Sequence, residues 1–135
     1  VLKTVRLELA RTPDHPLGDP SHAYIFRAPI DSHGQLEKSR WEATRAYCTV
    51  KRIESGTEAE HGLLIAKKNG QWAFSYQPGD EDDESLFRFG THRLVPGEYL
   101  SITEHDGVQR TFKVTAVTDW SPGEVVSGRW PPARP

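Results

Sequence analysis

The feature that most constrains this chain is a pair of turn signals, Asn69-Gly70 and His105-Asp106-Gly107, each set between segments whose apolar and polar residues alternate. Successive side chains of an extended strand point to opposite faces, so such segments suit half-buried strands and cannot present one face as helices. Asn-Gly is the pair best adapted to a two-residue type I′ turn, because both positions need positive φ. That turn puts Lys68 opposite Gln71 and brings Leu63 to Tyr76, Ile65 to Phe74 and Lys67 to Trp72 on one face. At the second signal a two-residue loop would mix the faces. A three-residue loop with Gly107 left-handed sets Leu100 opposite Phe112 and leaves Tyr99, Ser101, Thr103, Gln109, Thr111 and Lys113 on the other side.

The same alternation predicts strands near residues 2–10, 23–28, 48–54 and 86–89. Three prolines and Gly18 make residues 12–21 a connection, and residues 55–60 read as a polar loop. Residues 37–47 contain helix formers and neither Gly nor Pro, which predicts one short helix. Its apolar members Trp41, Ala43, Ala46 and Tyr47 form a narrow stripe suited to a sheet edge. The expected fold is therefore mainly β, a small antiparallel barrel or strongly curled meander sheet, since closure hides strand edges. Residues 1–120 form one β-rich domain, and 121–135 form a Pro-rich C-terminal extension in which Val125, Val126 and Trp130 offer a route to a homodimer.

A chain of 135 residues suits one core, large enough to need no metal or disulfide staple. The lone Cys48 cannot close an intrachain bridge, and the N-terminus has no apolar signal-peptide region, so a cytoplasmic location away from any membrane is expected. A net charge of −2 supplies no field to gather nucleic acid. The aromatic residues Trp72, Phe74, Tyr76, Phe87 and Phe89 recur at period two. Exposed, they would stack bases or sugars; a sequence only 36% hydrophobic needs them for its core. The acidic run Asp80–Glu84 lacks the spacing of a calcium loop and reads as a solvated, self-repelling segment. The six histidines show no zinc-ligand spacing, no nucleophile elbow is present, and no Walker or Rossmann pattern appears. No cofactor and no metal are therefore expected.

The segments Phe87-Arg88-Phe89-Gly90, Pro96-Gly97-Glu98-Tyr99-Leu100-Ser101-Ile102 and His105-Asp106-Gly107 resemble a group of short uncharacterised bacterial proteins. Val5 to Arg11 and Trp72-Ala73-Phe74 extend the resemblance over most of the chain. It implies a shared fold and carries no assigned activity.

Three functional readings follow. The leading one is a non-catalytic domain that binds a protein or small ligand through loops or one polar face, with Arg88, His92, Arg93, Glu98 and His105 as candidate binding residues on the turns of the meander. A second is a single-strand nucleic-acid barrel using Arg88, Arg93 and Arg110. A third is a small hydrolase or isomerase, which requires His92, Glu98 and His105 to converge in one pocket.

Overall fold

The computed structural model describes residues 2–79 and 82–121. Eight antiparallel strands run in chain order around a closed barrel: β1 (Leu2–Leu9), β2 (Asp19–Ala28), β3 (Thr49–Glu54), β4 (Thr57–Ala66), β5 (Trp72–Ser75), β6 (Glu84–Leu86), β7 (Tyr99–Thr103) and β8 (Gln109–Trp120). Closure comes from β8 pairing back on β1, with Leu2 opposite Trp120 and Leu9 opposite Phe112. One helix, α1 (Lys38–Thr44), continues as a 3-10 turn through Tyr47 and links β2 to β3.

Alternation places one face of each strand inside the barrel. Leu7, Phe26, Val50, Leu64, Phe74, Leu100, Ile102 and Phe112 are all buried there. Their rings interlock: Phe74 lies 5.3 Å from Phe26 and 5.4 Å from Tyr24, and Tyr24 meets Phe112 edge-on at 5.1 Å. The end of the barrel where β2 leaves and β3 enters is sealed by apolar groups. Trp41 of α1 packs edge-on against Trp72 at 5.0 Å and donates its indole N–H to the Leu64 carbonyl at 3.0 Å. Phe89 and Leu94 complete that seal. The opposite end, bounded by the β1–β2, β3–β4, β5–β6 and β7–β8 connections, is polar.

The β7–β8 hairpin has the expected register, with Leu100 opposite Phe112 and Thr103 opposite Gln109, and Gly107 takes φ +80°. At Asn69-Gly70 the register is shifted by one residue from the expected one. Leu64 faces Phe74 and Ala66 faces Trp72 across a three-residue loop, Lys68–Gly70, in which Gly70 takes φ +74°. A one-residue slip reverses every side chain. Leu63 is therefore turned outward and 43% exposed, while Phe74 stays inside. The slip is favoured because Leu64 and Phe74 are both fully buried in this register.

The polar stretch 55–60 proves to be mostly strand. Ser55-Gly56 is a two-residue turn with both residues at positive φ, 54° and 78°, and Thr57 already pairs with Glu54. A non-glycine residue in this conformation is held against a penalty of roughly 1–2 kcal/mol, which asparagine lessens by bonding locally. Ser55→Asn is expected to raise stability by about 0.5–1 kcal/mol, read as a higher urea midpoint at unchanged slope. A lower midpoint would show that Ser55 is not strained.

Candidate functional site

Towards its polar end the barrel interior changes character. Arg52 shares the inward parity of Val50, Glu84 that of Leu86, Glu104 that of Ile102, and Arg110 that of Phe112. Tyr24 lies opposite both Leu7 and Arg52. These residues form a layer of ionisable groups above the aromatic core, and Glu84 and Glu104 are buried within it. A charge removed from water is tolerated only when paired and hydrogen-bonded, and here nearly every group is.

The Tyr24 hydroxyl lies 2.6 Å from Glu104 Oε2 and 2.9 Å from Glu84 Oε1. The Tyr76 hydroxyl donates to the same Glu84 oxygen at 2.7 Å, and the His105 backbone N–H donates to Glu84 Oε2 at 3.0 Å. Glu104 further contacts His22 Nε2 at 2.8 Å and accepts from the Arg110 guanidinium at 2.8 Å. Arg52 donates to Glu54 at 2.8 Å, and its Nε lies 3.4 Å from Glu84 Oε2 without forming a hydrogen bond. His105 reaches outward to Glu60 at 2.5 Å.

Their surroundings decide how the two carboxyls differ. Tyr24 has one hydroxyl hydrogen and a carboxyl oxygen on each side, so the two carboxyls compete for a single donor. Burial pushes the Glu84 carboxyl above its ordinary range, outweighing its hydrogen bonds to Tyr76 and Tyr24. For Glu104 burial acts in the same sense, but His22, Tyr24 and Arg110 together hold it below the ordinary range. Burial thus disfavours charge on Glu84, whereas the partners of Glu104 favour charge there. Burial and the neighbouring carboxylates push both phenols, Tyr24 and Tyr76, far above the ordinary tyrosine range, so both remain donors.

The expected binding residues are divided between the two ends of the barrel. His105 joins the polar layer, its ring 5.3 Å from that of Tyr76. His92, Arg93 and Glu98 lie in the connection from β6 to β7, at the apolar end, where Arg93 donates to the His33 carbonyl at 3.3 Å. His92, Glu98 and His105 therefore do not converge. Arg88 stands at the start of the same β6–β7 connection, in the left-handed conformation at φ 54°, ψ 33°, with its guanidinium 4.9 Å over the Phe87 ring. Phe87 is the one exposed member of the predicted aromatic row, at 51%; Trp72, Phe74 and Phe89 are buried and Tyr76 partly so. Phe87 apart, the row builds the core.

The acidic run is also different from its expected form. Glu84 is the buried centre of the polar layer, and the half-buried Asp83 pairs with Lys67 at 3.1 Å. Tyr24, Arg52, Glu84 and Glu104 are not among the expected site residues, and inward parity is the sequence signal that marks them. Val125, Val126 and Trp130 lie outside the described residues. Among the described residues no set of three or more His, Cys, Asp or Glu is placed to hold a metal ion, and no helix is long and apolar enough to cross a membrane. Comparison with family models, curated proteins and solved structures found no match.

Proposed function

We propose that this chain is a non-catalytic binding domain that meets its ligand on the outside of the barrel. The observation that carries this reading is the closed bonding of the polar layer. Both oxygens of Glu84 and both of Glu104 are occupied by protein donors, and neither carboxyl is exposed enough to meet a substrate. A general acid or base must reach the proton it transfers, and both carboxyls are taken up by protein partners. The layer thus acts as a rigid polar plug, and recognition falls to the outer face and its loops. A cytoplasmic setting belongs to the same proposal, supported by the single buried Cys48 thiol, which burial pushes up and so keeps unreactive.

The test is a small-metabolite screen in which thermal shift and product formation are read on the same samples. At least one compound should raise the melting temperature and be recovered unchanged, since a ligand that binds only the folded state stabilises it. Conversion of a compound, abolished by Glu84→Gln while the fold is retained, would overturn the reading in favour of catalysis at the polar layer.

A further inference from the structure

We propose that the groove beside β6 is a binding site for a sugar acid or sugar phosphate, a ligand with several hydroxyls and one anionic group. This rests on the reading of the chain as an external binding domain. The groove is about 360 Å³ in volume and lies where β6, only three residues long, separates β5 from β7. That is within the range of small-ligand sites, roughly 300–1,000 Å³. Its wall is formed by Gln71, Ser85, Phe87, Arg88, Thr103 and Gln109.

Three observations converge there. The first is a rung of outward side chains on adjacent strands, with Ser85 paired to Thr103 and Thr103 to Gln109. On the next rung the Ser101 and Thr111 hydroxyls bond to each other at 3.2 Å. The side chains of Ser85, Thr103 and Gln109 have no hydrogen-bond partner among the described residues. Each both donates and accepts, which matches ligand hydroxyls that do the same.

The second observation is Arg88, whose guanidinium likewise has no hydrogen-bond or ion-pair partner among the described residues and rests on the Phe87 ring. Guanidinium only donates and forms paired bonds to carboxylate or phosphate, so it calls for an anion. The exposed Phe87 ring offers an apolar wall for the C–H face of a sugar. The third is the backbone. Arg88 occupies a conformation that glycine would take more readily, and such strain is characteristic of residues held for function.

The experiment is an NMR titration of the full chain with glucuronate, glucose 6-phosphate, glucose and inorganic phosphate. Both sugar anions are expected to shift the amides of residues 85–89 and 103, and the stronger of the two identifies carboxylate or phosphate as the natural group. Glucose and inorganic phosphate should each bind at least tenfold more weakly. Arg88→Gly should weaken the sugar anions tenfold or more while melting no lower than the parent, because it removes the cation and relieves the backbone together. Unchanged affinity in Arg88→Gly would overturn the proposal. So would inorganic phosphate binding as well as glucose 6-phosphate. Shifts confined to another face would remove the groove and leave the binding-domain reading standing, whereas conversion of either sugar to product would remove that reading itself.

Discussion

Glu104→Gln is expected to destabilise the fold by about 3 kcal/mol, whereas Glu84→Gln should change it by no more than about 1 kcal/mol. The two residues are equally buried and share Tyr24, so burial alone would make the substitutions equivalent. The difference lies in how their surroundings treat charge. Glu104, held below the ordinary carboxylate range, faces Arg110 and Arg52, and its amide would leave those guanidiniums without their central counter-charge. Breaking a buried pair commonly costs about 3–5 kcal/mol; the lower figure applies because Glu54 still holds Arg52 and Asp106 still holds Arg110. Burial already disfavours charge on Glu84, so a neutral amide there gives up less. Urea denaturation of both variants at neutral pH checks the contrast. Equal losses would show that the two carboxyls are held alike.

The same assignment predicts the pH profile. Glu104 is depressed in the fold, so its contribution is present above the ordinary carboxylate range and is lost as pH falls through the folded value. Asp106, lowered to about 2 by its hydrogen bonds to Arg110, acts in the same direction. Glu84 is raised, so its contribution is complete below the ordinary range and declines as pH rises towards its folded value. Glu84→Gln should abolish that decline on the alkaline side and leave the acid limb intact.

Gly62→Ala is expected to cost about 3 kcal/mol, at the upper end of the usual penalty for overpacking. A Cβ built on Gly62 would lie 2.2 Å from the Ser75 carbonyl oxygen and 2.8 Å from Cδ1 of Tyr76. The nearer contact is backbone in a neighbouring strand and cannot rotate away. The residue's role is to let β5 and the Tyr76 ring come close enough for the phenol to reach Glu84. The variant should therefore lose the Tyr76 environment in near-ultraviolet circular dichroism as well as stability. A loss below about 0.5 kcal/mol would show that β4 and β5 can part without consequence.

Much of the barrel was legible because period-two alternation is a local property. It located β1 and the β7–β8 hairpin, and the run of helix formers located α1. The Asn69-Gly70 register was misread because the turn rule weighs two residues, whereas the observed pairing is decided by burying Leu64 against Phe74. Glu84 was misread for a related reason: as the last of five acidic residues it looks solvated, and only its parity with Leu86 places it inside.

What the sequence determined alone was which residues are extended, where the chain reverses and which rings are available to a core, since these depend on neighbours along the chain. The tertiary structure decided that β8 closes on β1, that Tyr24 lies between two carboxyls 60 and 80 residues away, and that Arg88 stands apart from His105. Those facts depend on how strands far apart in sequence are brought side by side. Closing the barrel transfers a set of polar side chains from water into one shared layer, where each one's charge is fixed by the others.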